Sequence, residues 1–495
     1  MPMKKPCIAV FDVGTTSIKV CLFSPDLSLL ACSVQEYPLQ TAGPCAEVDA
    51  NTYLFAMRRG VTAALAQAEG FAVAAIGLST QGETLVPVDR TGEPLHPFLV
   101  WLDARAAKEA AALGATFPEQ TFYETTGLPA PSGALPLAKL LWIRQTLPDV
   151  FSKTYKFLLL EDYLLFFLTG NFLSERSLQT STGYFSLQTD DFWEDALQWA
   201  GIPRSMLPDC LESGEKAGVL LPHAARFLGL PADIPVFTGA MDQTAAALSA
   251  GGLTPGTITE TTGTALVAAA CTDAPVFAKA HHVTIYRHAV RGRFLYLPIG
   301  NTAGMALKWF RDEFCRDLPE QEAYRRLDAL AESVEPGSGG VTFLPYLSGS
   351  VDPDFCPQAK AAFFGATLST GRAAFARAVM ESVAFLLSDF LTLLEALSCP
   401  CKALYSLGGG AKSRVWQQIK ADVCGRTLFV PACREASAQG AALLAAWGNG
   451  WLAAPEVSKK EPAACFSPDA EAVLRYQKPL ARFHALYQAV KPLYI

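Results

Sequence analysis

The apolar positions of this chain follow two periods that alternate along its length. Short runs such as Cys7-Ile8-Ala9-Val10, Cys21-Leu22-Phe23, "AAIGLST" (Ala74 to Thr80) and "IPVFTGA" (Ile234 to Ala240) read as buried strands. "AAKEAAALGA" and "LAKLLWIRQTL" carry helical spacing. "FLLLEDYLLFFLTG" (Phe157 to Gly170) reads as a buried helix, since Glu161-Asp162 interrupts it and it is too short to span a bilayer. Alternation of this kind predicts α/β architecture. Glycines and a proline in "ALSAGGLTPGTIT" (Ala247 to Thr259) follow an Ala-rich helix and mark a break. Beyond it, "TITETTGTALVAAA" (Thr257 to Ala270) repeats the strand, hydroxyl-rich glycine turn and strand that open the chain. The pattern predicts two similar domains, residues 1–248 and 249–495, each α/β with a mixed sheet, facing each other across a cleft.

Composition narrows the class. A chain of 495 residues exceeds what one hydrophobic core usually supports. Apolar content of 51% with 18% charged residues describes a well-packed soluble protein. The net charge of −7 leaves no basic footprint for nucleic acid or an anionic membrane. The opening "MPMKKPCIAV" lacks the apolar core and cleavage site of a signal peptide. The 13 cysteines show no CxxC pair and no regular spacing, which predicts reduced, mostly buried thiols in a cytoplasmic protein, with no metal or catalytic role.

Candidate chemistry begins at "FDVGTTSIKV" (Phe11 to Val20), a strand, a turn and a strand. One reading is an ordinary turn in which Gly14 takes a positive φ. The other is a phosphate cradle: N–H groups of Gly14, Thr15 and Thr16 converge on an anion, Thr15, Thr16 and Ser17 add hydroxyls, Lys19 adds charge, and Asp12 holds a metal through water. Thr261-Thr262-Gly263-Thr264 is a second candidate cradle. "LYSLGGGAKS" (Leu404 to Ser413) places three glycines between a strand and a helix, where a ligand can approach the backbone. Asp242, in "GAMDQTAAALSAG", reads either as an N-cap or as the base that accepts a proton from an attacking hydroxyl. The usual local signatures of phosphoryl transfer, G-x-x-x-x-G-K-[ST] and the H-R-D loop, are absent.

These segments taken in order resemble the FGGY carbohydrate kinases of the actin/hexokinase/Hsp70 superfamily. The likeness runs through Asp12-x-Gly14-Thr15-Thr16-x-x-Lys19, "TQGET", "VWLDAR", "GLPAPSGALPLAKLLWI", "GAMDQTAAALSAG", "TTGTA" and "AGMALKWFRDE". It continues through "FLPYLSGSVDPDFCPQAKAAFFGATLSTGRAAFARAVMESVAF", "SLGGGAKSRVWQQIKADVCGRTLFVP" and "EASAQGAALLA". The resemblance implies two ribonuclease H-like (actin-like ATPase) domains with an active-site cleft between them, and ATP and Mg2+ as cosubstrate and cofactor. It implies Asp242 as catalytic base and Asp12 as magnesium residue, with Asp242 beside it. Thr15, Thr16, Ser17, Lys19 and Thr264 would meet the terminal phosphates, and Gly304, Lys308, Gly409 and Ser413 the nucleotide. A homodimer is favoured by the same analogy.

The acceptor loop departs from its relatives. After Gln81, xylulose kinases typically carry Met-His and glycerol kinases Arg-Glu, whereas this chain has Gly82-Glu83. "GLPAPSGALPLAK" also lacks the tyrosine that glycerol kinases place before their lysine. Loss of two bulky polar side chains argues against glycerol and for a larger acceptor. Glu83 would accept from adjacent sugar hydroxyls, with Trp101 and Asp103 completing the wall; the alternative for Glu83 is a solvated loop acid. The expected partner is a small sugar or polyol and the expected reaction phosphorylation of a ketopentose such as xylulose, with glycerol, erythritol and deoxy-ketoses open. Different in class are a chaperone-like ATPase and a silent sugar sensor.

Overall fold

The computed structural model describes residues 4–319, 321–456 and 461–494. The chain forms two compact units. The first runs through Leu253 and takes in Thr284–Leu295 and the stretch that begins at Glu435. The second comprises Thr254–Val283, Tyr296–Arg434 and the C-terminal stretch. The break after Leu253 lies inside the glycine-proline segment, and two later stretches, Thr284–Leu295 and the one that begins at Glu435, return to the first unit.

The reason lies in the helix Ala436–Gly448, whose small residues fit the first unit. A Cβ on Gly77 would stand 2.8 Å from the Ala441 carbonyl, and one on Gly440 would stand 1.9 Å from the Ala245 carbonyl. Only a stripe of small side chains allows this backbone-to-backbone approach. Leu443 and Leu444 are fully buried along the same helix, each contributing about 1.5–3 kcal/mol.

In the first unit the strand Lys5–Val13 pairs antiparallel with Ser17–Phe23, with Asp12 opposite Lys19, and parallel with Phe71–Thr80. The short strand Ala240–Met241 also runs parallel to Phe71–Thr80. Phe11, Ile18, Val20, Ile76 and Leu78 fill the core beneath. In the second unit the same plan recurs: Thr257–Thr262 pairs antiparallel with Leu266–Thr272 and parallel with Ala403–Leu407. Both sheets are mixed, as predicted.

Two expected elements differ. Phe157 to Gly170 divides into a strand, Lys156–Leu159, and a helix, Leu160–Thr169, which begins where the Asp162 carboxylate accepts the Leu159 N–H at 2.8 Å. Ile234 to Ala240 divides at Gly239, whose Cβ would overlap the Leu78 carbonyl at 1.6 Å. Among the described residues no helix is long and apolar enough to cross a membrane. None of the 13 cysteines is in a disulfide; five are buried and eight are partly or fully exposed, so the expectation of mostly buried thiols fails.

Candidate active site

The first-unit candidates sit at the carboxyl ends of its parallel strands, where open α/β sheets bind ligands. Asp12 lies at the turn-ward end of the first strand and the Gly14–Ser17 turn follows it, Gln81-Gly82-Glu83 follows Phe71–Thr80, and Asp242 follows Ala240–Met241. The turn is closed by the Gly14 N–H donating to the Ser17 carbonyl at 3.0 Å, and the Tyr37 hydroxyl donates to the Gly14 carbonyl. Gly14 does not take a positive φ. A Cβ there would touch only the Ser17 carbonyl, at 3.4 Å. The fold itself therefore has no steric need for glycine at this position.

Asp12 accepts from the Ser79 hydroxyl at 3.1 Å. Burial pushes its carboxyl up to about 6, against the lowering effect of Lys19. Asp242 opens the helix Asp242–Ser249 and accepts the Gln243 N–H at 2.7 Å. Burial, followed by the Asp12 charge and assisted by Glu83, raises it to about 7. A helix N-terminus would make it a weak base; here desolvation and like charge prevail and bring it close to neutral pH.

Glu83 is not a solvated acid. It is partly buried in a left-handed conformation (φ 53°), accepts from the Tyr286 hydroxyl at 3.2 Å, and burial raises it to about 7. Gln81 accepts from the Thr15 hydroxyl at 3.0 Å, and Thr15 in turn accepts from the Trp101 indole N–H at 2.8 Å. The Thr15 proton is thus committed to Gln81, while Thr16 is exposed and Ser17 partly so. Lys19 pairs with Glu435 at 2.6 Å; desolvation opposes its charge, but that bond and Asp12 hold its amine above the ordinary range. Asp103 is fully buried, accepting the Ala46 N–H at 2.7 Å and the Arg105 guanidinium at 2.7–3.0 Å. Those bonds fasten the loop after Trp101.

Two residues escaped sequence reasoning. Tyr286 lies on the strand Thr284–Arg287, fixed by the Ile285 N–H to the Gly127 carbonyl at 2.8 Å and by Arg287 to Asp190 and Glu212, both at 2.7 Å. Lys139 is fully buried and spends its three N–H bonds on the Glu83, Val100 and Leu99 carbonyls at 3.0, 2.9 and 3.4 Å. Burial lowers its amine to about 7. Lysine in the apolar run "PLAKLLWI" was the available signal.

In the second unit Thr264, Gly304, Lys308, Gly409 and Ser413 line one cavity of about 640 Å³. A Cβ on Gly263 would meet nothing within 4 Å, and one on Gly409 only the Thr262 carbonyl at 4.0 Å. Ser413 caps the helix Arg414–Cys424 and donates to Asp328 at 2.7 Å. Lys308 bonds Asp312 at 2.6 Å. Beneath the cavity the fully buried pair Glu260–Lys420 (2.6 Å), with Thr262 and Ser406, ties both glycine turns to that helix.

The description "FGGY family of carbohydrate kinases, N-terminal domain" matches residues 7–249, and its C-terminal counterpart matches 259–448. The chain belongs to the FGGY family of carbohydrate kinases. It is a phosphotransferase with an alcohol group as acceptor, in a family that uses ATP, typically with magnesium. It is 30% identical to the xylulose kinase of Escherichia coli over 489 residues, covering 97% of this chain and 99% of that one. It is 29% identical to the gluconokinase of Bacillus subtilis over 447 residues, covering 89% and 87%. The crystal structure of xylulose kinase from Rhodospirillum rubrum matches with a TM-score of 0.90 at 27% identity over 99% of both chains. Family membership replaces the chaperone-like and sensor readings.

Proposed function

We propose that this FGGY kinase transfers the γ-phosphate of ATP to a hydroxyl of a ketopentose, xylulose first. The observation that carries the reading is Asp242, an acid raised to about 7 by burial and by Asp12, in the same unit as Glu83. Asp242 accepts the proton of the attacking hydroxyl, and Glu83, steadied by Tyr286 and Lys139, accepts from neighbouring hydroxyls. Thr16, Ser17 and Lys19 meet the terminal phosphates from the first hairpin, Thr264 from the second, and the cavity lined by Gly304, Lys308, Gly409 and Ser413 takes the nucleotide. Gln81, Gly82 and Trp101 shape the acceptor loop, and Asp103 holds it through Arg105.

Magnesium would be held by Asp12 and Asp242, largely through water. Two carboxyls raised by burial, Asp242 also by the charge of Asp12, are a donor set that a hard cation relieves. Among the described residues no group of three or more His, Cys, Asp or Glu side chains is arranged to hold a metal ion. When bound it supplies neutralisation of phosphate charge.

Gluconate is less well served. Its carboxylate would face Glu83, while Lys139 and Arg105 are each engaged by oxygens of the protein. A coupled ADP-release assay over ketopentoses, gluconate, deoxy-ketoses and polyols tests the proposal. Xylulose should give the largest kcat/KM; preference for gluconate or a polyol would overturn the substrate.

A further inference from the structure

Cys21 and Cys32 lie directly opposite each other on the antiparallel strands Ser17–Phe23 and Leu29–Glu36. The Cys21 thiol donates to the Cys32 sulfur at 3.1 Å. Opposed residues on antiparallel strands have Cα atoms about 4.5–5.5 Å apart, inside the range a disulfide requires. Cys21 is fully buried, whereas Cys32 is partly exposed on the edge strand of the sheet. One sulfur is reachable from solvent and the other waits behind it.

We propose that Cys21 and Cys32 form a peroxide-sensitive dithiol that closes to a disulfide and lowers phosphoryl transfer. The Cys32 thiolate attacks one oxygen of hydrogen peroxide, the O–O bond breaks, Cys32 sulfenic acid forms, and the departing hydroxide takes up the proton that the Cys32 thiol released to become water. The Cys21 sulfur then attacks the sulfenic sulfur; the S–S bond forms, the S–O bond breaks, and hydroxide leaves with the Cys21 proton as a second water. Two thiols are oxidised and one hydroperoxide is reduced. The donated Cys21 S–H and the nearby Lys19 charge lower the Cys32 thiol from its ordinary range, which favours Cys32 as the attacking sulfur.

The consequence for activity rests on the kinase reading above. Cys21 shares a strand face with Lys19, two residues nearer the Gly14–Ser17 turn. Bonding draws the sulfurs from 3.1 Å to about 2.0 Å, which shifts the strand that carries Lys19. Displacements near 1 Å at a phosphate-binding group cost about tenfold or more in turnover.

The test treats the full-length reduced protein with limiting hydrogen peroxide, then maps differentially alkylated peptides and measures sugar-dependent ADP release. The expected result is a Cys21–Cys32 peptide lighter by two hydrogens, loss of two of the 13 thiols, and about tenfold lower turnover restored by dithiothreitol. Cys32→Ser and Cys32→Ala should each keep their activity through the same treatment. Absence of the cross-linked peptide overturns the site whatever the kinase does, since mapping needs no turnover. A cross-link with unchanged turnover, or equal inactivation of the Cys32 variants, overturns the control.

Discussion

The Tyr286 hydroxyl donates to the Glu83 carboxylate over 3.2 Å, from 203 positions further along the chain. Hydrogen bonds to charged groups are worth about 1.5–3 kcal/mol. Tyr286→Phe should therefore raise KM for the sugar about tenfold or more and leave KM for ATP unchanged. Because the bond holds Glu83 down, its loss should also move the pH dependence of sugar affinity upward. Steady-state kinetics across pH check both; a change confined to KM for ATP would place Tyr286 elsewhere in the reaction.

Asp242 should set the acid limb of the rate profile. With its carboxyl at about 7, kcat/KM should fall below neutral pH as the base becomes protonated. Asp242→Asn should lower kcat by about 10²–10⁴ while ADP still binds in a calorimetric titration. The Asp12 charge raises Asp242, so Asp12→Asn should move the acid limb to lower pH, besides weakening magnesium dependence.

The parts of this site that could be read from sequence are the local ones. Both hairpins, the glycine turn and Asp242 occupy short contiguous segments whose chemistry and geometry coincide. Tyr286 stands in "VTIYRHAV", which carries no motif, and its role arises only when Arg287 and Ile285 dock that strand into the first unit. The helix after Glu435 was equally hidden, because small residues say that something approaches closely but not what. Asp103 illustrates a different failure. Its partner Arg105 is only two residues away, and an acid with an arginine at hand in a buried loop tends to be consumed by it.

Glycines of the cradles should separate binding from folding. Gly409→Ala and Gly14→Ala place a methyl group where the protein offers no closer contact than 4.0 and 3.4 Å, so thermal stability should change little. KM for ATP should rise, because the methyl occupies space a phosphate or nucleotide needs. Gly410→Ala is the control: its Cβ would meet the Thr262 side chain at 2.7 Å, so stability should fall. Unchanged KM in both cradle variants would remove the phosphate role of these turns.

The pair Glu260–Lys420 should behave as a buried ion pair does. Glu260→Gln leaves a fully buried ammonium without its counter-charge, at a cost of about 3–5 kcal/mol. The double variant Glu260→Gln, Lys420→Met should recover part of that loss, as read from denaturant midpoints. Nucleotide affinity should fall with the single change, since the pair holds the strands that carry both glycine turns of the second unit.

Ligand-free stability should decline as pH rises from about 4 to 7. Asp12 is raised to about 6, and Glu83, Asp162 and Asp242 to about 7, so the folded chain keeps protons that the unfolded chain releases near 4. Stability falls with pH wherever the folded state binds more protons. Asp89, Asp312, Asp317 and Asp354, held low by their partners, act below that window. His288, pushed down to about 3 by burial, opposes the trend, but it is one group against four. Urea midpoints measured across this range should drop toward neutral pH, and Asp162→Asn should flatten the slope without touching the candidate site. A midpoint that climbs steadily to pH 7 would show that these carboxyls are ionised throughout, and Asp242 would then lose its standing as a base poised near neutrality.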